Sequence, residues 1–211
     1  MHHLIVNFPV RHGSHQSFDE GMCAMELVAF LAGEPHSDGP ACASPVIAAF
    51  VRAFNDVIPN DSGRSYYLRS WIPKLINTVA EEAIEEQRAT VVIDFMVRTM
   101  LPLKLMAEGS PDSAREFAEL KPIKTRTGVI LAGLAVRQEE GYDRIAAAIK
   151  LASRDRAPAT WVPSAAKMIQ DLGTPAAFDL GTRLIGRLIK VGSEPVEKRV
   201  SRVHWSAPPT A

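Results

Sequence analysis

The sequence predicts an all-α protein, a multi-helix bundle with a short two-stranded β element formed by its termini. Three observations carry this expectation. Ser44-Pro45, Ser110-Pro111 and Thr174-Pro175 each join a hydroxyl that can cap a helix to a proline. Proline suits a first helical turn, because the N–H it lacks would be unpaired there anyway. Apolar residues then recur at helical spacing, as at Val46, Phe50, Phe54 and Ile58. The connectors between such stretches are short, which favours antiparallel neighbours in one bundle. A single domain over residues 1–211 is expected, with strand and loop to 17, the helical bundle over 18–191 and an extended tail over 192–211.

The elements follow in order. HLIVNF, residues 3–8, is β-branched and aromatic and reads as a strand. A polar loop follows from His12 to Ser17. Ser17 and Glu20 have the spacing of a capping box, predicting a helix from Phe18 to Ala32 that Gly33 and Pro35 close. Residues 34–43 are turn-rich. The helix from Pro45 should break at Asn60-Asp61-Ser62-Gly63, and another should run from Ser65 to Asn77, kinked or restarted at Pro73. Glu82 to Leu101 is the longest periodic stretch, with Val92, Phe95, Met96 and Thr99 on one side. Its first turns carry Glu81, Glu82, Glu85 and Glu86, which oppose the positive end of the helix dipole. Pro102 should bend or end it. Shorter helices are predicted at Pro111–Leu120, Thr125–Arg137, Gly141–Arg154 and Pro163–Leu172.

A last helix runs from Pro175 to about Val191, with Leu180, Leu184, Leu188 and Val191 in register. Gly181 and Gly186 inside it disfavour the helix by roughly 1 kcal/mol each relative to alanine, so they predict close approach of another element. VEKRVSRVHW, residues 196–205, alternates and could pair with HLIVNF as the second strand. No internal repeat is evident, which argues against a solenoid.

Composition limits the function classes. Of 211 residues, 46% are apolar and 23% charged, an ordinary globular balance able to bury a sizeable core. Lys plus Arg equals Asp plus Glu at 24 each, so no overall field draws the chain to nucleic acid or an anionic membrane. The one basic stretch is C-terminal: Arg183, Arg187, Lys190, Lys198, Arg199 and Arg202 against Glu194 and Glu197. It reads first as a solvated face, and it is where a nucleic acid would bind if one does. No run approaches the roughly 20 apolar residues of a membrane span, and MHHLIVNFPV lacks the basic flank and long apolar core of a signal peptide. A cytoplasmic protein without cofactor is expected, with Cys23 and Cys42 as free thiols.

Chemistry-bearing residues concentrate between His12 and Asn55. Three arrangements are conceivable there. A metal could use Cys23, Glu34, His36, Asp38 and Cys42, which are ligand types suited to zinc, although no close C-x-x-C or H-x-x-x-H pair is present. The competing reading makes Cys23 a small buried apolar residue and Cys42 part of a loop cap. Thiol catalysis could use Cys23 near a helix start, with His12 or His15 as base; Asp19 and Glu20 work against it by raising the thiol pKa. Carboxylate chemistry could use Glu26, Glu34 and Asp38. Glu26 is the informative one, because it interrupts the apolar run MCAMELVAFLA. It must either reach solvent or be buried against a donor such as Arg52, Arg98 or a histidine. His15, Cys23 and Glu26 are thus the catalytic candidates. No glycine-rich phosphate loop follows a strand, and G-x-S-x-G is absent.

The stretch GSHQSFDEGMCAMELVAFLAGEPHSDGPACASPVIAAFVRAFND resembles an N-terminal signature of uncharacterised bacterial and bacteriophage proteins. Its pattern is G-S-H, then E-G-x-C-x-M-E-x-V-A-x-x-A-G-E, then S-D-x-P-x-C-x-x-P-V-I; the later DFMVRTMLPLKLMAEG is similar to them too. Cys23, Met25, Glu26, Gly33, Glu34, Ser37, Asp38, Pro40, Cys42 and Pro45 match it. Gly39 departs, since the similar proteins tend to carry histidine there, which weakens any metal site relying on that position. The resemblance implies a shared helical fold and no activity. The leading expectation is a non-enzymatic interaction or assembly protein, phage- or prophage-associated, with a protein partner or self-association. The alternative is a metal- or thiol-dependent hydrolase centred on the first helix.

Overall fold

A cysteine, not a serine, starts the first helix. The computed structural model describes residues 8–139, 141–154 and 157–193, and their regular structure is helical. Helix α1 spans Ala24–Ala32. Its N-cap is Cys23, whose Sγ accepts from the Glu26 N–H at 3.5 Å while Glu26 Oε2 accepts from the Cys23 N–H at 2.7 Å. The capping box predicted at Ser17 and Glu20 is therefore shifted by six residues. Residues 17–20 form a turn instead, and Gly21 (φ 130°) holds a backbone conformation that cannot continue a helix. Gly33 closes α1 as expected, left-handed at φ 72°, and the Glu34 N–H returns to the Ala29 carbonyl.

Helix α2, Pro45–Val57, matches its prediction: Ser44 Oγ accepts from the Ile47 N–H, and Val46, Phe50, Phe54 and Ile58 are all buried. The four residues predicted only to break α2 instead open α3, Asp61–Leu68, because Asn60 Oδ1 caps it by accepting from the Gly63 N–H. A single turn, α4 at Ile72–Leu75, contains Pro73 in its first positions. The expected Ser65–Asn77 helix is thus divided between α3 and α4.

The long stretch from Glu82 divides into α5 (Glu82–Phe95), a π-helical turn at Met96–Met100 and α6 (Leu101–Ala107). Pro102 neither ends nor visibly breaks this rod. The wider π turn lies just before it, where the ladder of N–H bonds has to accommodate a residue without a donor. Then follow α7 (Pro111–Glu119), α8 (Arg126–Val136), α9 (Asp143–Arg154), the short α10 (Pro158–Trp161), α11 (Pro163–Leu172) and α12 (Pro175–Lys190). Thr125 and Thr174 cap α8 and α12 through their hydroxyls, whereas Ser110 makes no side-chain cap.

The core is continuous from Val10 to Leu188 and is filled by α2, α5, the π turn, α11 and α12. Gly181 and Gly186 are close-approach sites, as their position predicts. A Cβ at Gly181 would stand 2.6 Å from the Phe54 ring, and one at Gly186 would stand 2.9 Å from Trp71. The strand expected in residues 1–7 and its pairing with 196–205 lie outside the described residues. Extended pairing among the described residues is a parallel bridge between Val10 and Met22, with the Arg11 N–H on the Met22 carbonyl at 2.8 Å. No helix among them is long and apolar enough to cross a membrane.

Candidate functional site

Glu26 sits in the first turn of α1 and is only 1% exposed. A carboxylate so buried needs donors, and it has them. The His15 N–H donates to Oε1 at 2.7 Å, the Cys23 N–H to Oε2 at 2.7 Å, and His15 Nδ1 lies 2.8 Å from Oε2. His36 Nε2 stands 3.4 Å from Oε1 and 2.7 Å from the His15 carbonyl. A carbonyl can only accept, so Nε2 of His36 carries its hydrogen; an ionised carboxylate likewise fixes the hydrogen of His15 on Nδ1. Burial on its own raises the Glu26 carboxyl, but the backbone donors of His15 and Cys23 and the His15 ring outweigh it and hold the group below its ordinary value. Of the donors the sequence offered, histidine is the one used. Arg52 turns to Asp38 and Arg98 to Asp94.

The cluster fastens the N-terminal arm onto the bundle. His15 is the grip of this arm (residues 8–22) on α1, and Asn55 of α2 adds another, giving its Nδ2–H to the Arg11 carbonyl while its Oδ1 accepts from the Ala24 N–H at the start of α1. The Gly13 N–H reaches Asp56, and Arg11 pairs with Asp61 at 2.7 Å. Phe18 closes over His36, ring centroids 4.6 Å apart and nearly perpendicular. Cys23 is buried beneath this arm. Burial, with the Glu26 charge adding to it, pushes its thiol up to about 12, the reverse of what a nucleophilic cysteine requires.

The remaining candidates are not brought to one point. Glu34 accepts from the Ala41 and Cys42 N–H groups at 2.7 and 2.8 Å and ties down the loop before α2. The Cys42 side chain, donating to Glu34, holds that carboxyl below its ordinary value, and burial followed by Glu34 raises the Cys42 thiol in return. Asp38 lies 3.6 Å from Arg52. Among the described residues no three His, Cys, Asp or Glu side chains gather as a metal-binding group. Cys23 and His36 attend Glu26, Cys42 and Glu34 attend each other, and Asp38 attends Arg52.

Sequence reasoning missed two polar junctions and a groove. Arg88 of α5 donates to the Leu188 and Val191 carbonyls at the end of α12, to the Thr78 carbonyl and to Glu85, whose other oxygen accepts from Ser44. Asp94 accepts from Arg98, Arg187 and the Ile123 N–H. The basic face expected of the C-terminal stretch is thereby partly engaged, through Arg187; Lys198, Arg199 and Arg202 lie outside the described residues. The groove, of about 290 Å³, runs between α8 and α9. A larger cleft of about 480 Å³ adjoins it between α5 and α8 to α10 and shares Arg126, Val129, Ser153 and Arg154 with it. Neither is lined by the Glu26 cluster. Compared with family models, curated proteins and solved structures, the chain matches none of them.

Proposed function

We propose that this is a non-enzymatic interaction or assembly protein, self-associating or bound to a protein partner, in which the thiols, imidazoles and acids near the N-terminus hold the arm to the bundle. One observation carries the reading: Glu26 is 1% exposed and every donor that reaches it belongs to the arm or to α1 and its flanks. A catalytic constellation needs a cavity where a substrate can meet it, and neither the α8–α9 groove nor the cleft beside it is lined by these residues. The likeness of the N-terminal signature to bacterial and bacteriophage proteins supports a phage or prophage setting for such a role.

The rival, a metal- or thiol-dependent hydrolase, makes opposite demands. Native protein treated with iodoacetamide at neutral pH should label Cys23 far more slowly than the unfolded chain does, since the thiolate is the reacting species. Rapid labelling, or stoichiometric zinc, iron or manganese by elemental analysis of purified protein, overturns the proposal. Light scattering over a range of concentrations tests self-association separately. A mass that stays monomeric removes that part.

A further inference from the structure

Helix α8 is apolar on the wrong side for a helix in a finished bundle. Val129, Ala132 and Val136 face the core, yet Ile130, Leu131 and Leu134 are 47%, 61% and 52% exposed. Exposed aliphatic residues are ordinary when single; three within two turns of one helix form a patch. Ile130 and Leu134 stand with Gly133 on one wall of the α8–α9 groove, Ala146 and Ile149 form the other, and Leu131 is exposed on the same helix outside the groove. Gly133 marks where the two helices meet, since a Cβ there would stand 3.0 Å from Ile149.

Among the described residues, the charged side chains that line the groove are Arg126, Arg137, Lys150 and Arg154, while Glu82, Glu85 and Glu86 line the adjoining cleft that shares Arg126 and Arg154. Arg126 is held by the Ser153 carbonyl at 2.8 Å, and among the described residues no carboxylate pairs with Arg137, Lys150 or Arg154. In a chain with as many acids as bases, four cations gathered around the exposed Ile130 and Leu134 form a local complement to something anionic and apolar together.

We propose that the α8–α9 groove receives an acidic amphipathic helix of a partner protein, its leucine-type side chains against Ile130 and Leu134 and its flanking carboxylates against Arg126, Arg137, Lys150 and Arg154. This rests on the interaction reading above and gives it a partner class. A two-walled groove beside an 11-residue helix suits a rod of roughly 16 Å. A second copy docking the same face about a twofold axis would bring four cations against four cations, which disfavours it. Phosphate backbones would use the cations but leave Ile130 and Leu134 idle.

The test is fluorescence anisotropy with a labelled synthetic helix carrying leucines on one face and glutamates beside them. Binding is expected, weakening with added salt. Ile130→Asp with Leu134→Asp should weaken it at least about tenfold, as should Arg137→Glu with Lys150→Glu. All four residues are exposed, so circular dichroism should be unchanged. The charge-reversed protein should in turn prefer a peptide with lysines in place of the glutamates. No binding, or binding indifferent to both double variants, overturns the proposal. So does stronger, cation-dependent binding to phosphatidylserine vesicles or to duplex DNA, or a dimer that Leu134→Asp dissolves. Failure here with self-association intact would leave the interaction reading standing on another face, whereas rapid Cys23 labelling or a bound metal would remove that reading itself.

Discussion

At the scale of the residue, Glu26 decides whether the arm stays down. Glutamine puts an amide NH2 where one of the two oxygens stood, so either the His15 or the Cys23 N–H faces a donor in place of its acceptor. Glu26→Gln should therefore destabilise the protein by roughly 3 kcal/mol in urea titrations at pH 7. The pH dependence has a definite sign. Because the folded group is held below its ordinary 4.5, its contribution is fully present above that value and is lost as pH falls through the folded value. The gap between wild type and Glu26→Gln should thus narrow on acidification; a gap that is constant from pH 7 to pH 3 contradicts the role. Glu26 could be found from sequence because a carboxylate in an apolar run must be buried against a donor or exposed. Its partners could not, since His15 reaches it along an arm whose path depends on Gly21 and the Val10–Met22 bridge. The helix start was misplaced for a related reason: Ser17 with Glu20 and Cys23 with Glu26 share the same spacing, and cysteine is the weaker signal of a cap.

At the scale of the element, interior glycines separate propensity from packing. Replacing a helical glycine by alanine usually stabilises, through the unfolded chain. Gly128, in the first turn of α8, has only ordinary contacts around a new Cβ, at 3.4 Å or more, so Gly128→Ala should stabilise by about 0.4–1 kcal/mol. Gly181 has two Phe54 ring atoms at 2.6 Å and Ile169 Cδ1 at 2.9 Å. Both side chains are fully buried in the core, so Gly181→Ala should destabilise by about 1–3 kcal/mol despite the better propensity. Thermal melts of the pair read the opposite signs directly, and a stabilised Gly181→Ala would mean that α2 and α12 are less closely packed. Most helices were legible through such local rules: Ser44-Pro45, Thr174-Pro175 and Gly33 each act as their chemistry predicts. The π turn before Pro102 was not, because a proline signals a disturbed hydrogen-bond ladder without saying that the helix runs on through it. The exposed side of α8 was equally hidden. RTGVILAGLAV is apolar all round, and such a helix reads as buried until its neighbours are known.

At the scale of the whole molecule, what joins the first half of the chain to the last is a buried cation. Arg88 reaches across a sequence distance of about a hundred residues to the Leu188 and Val191 carbonyls while also holding Thr78 and Glu85. It serves as the C-cap of α12, satisfying carbonyls that the helix leaves unpaired. Arg88→Met keeps the apolar stem and removes every one of these bonds, leaving the buried carbonyls of Thr78 and Leu188 without this donor and the half-buried Glu85 with Ser44 alone; a loss of about 3 kcal/mol is expected. Because the core runs unbroken from Val10 to Leu188, that loss should lower one shared transition and should not free α12 by itself. Tryptophan fluorescence supplies the check, since Trp71 touches α12 at Gly186 and Trp161 is buried beside α11. In Arg88→Met, fluorescence and far-ultraviolet circular dichroism should still change together along the denaturant axis. A fluorescence change that precedes the loss of helix would mean that α12 undocks as a separate unit, and that the two halves are joined by this guanidinium more than by the apolar surface between them.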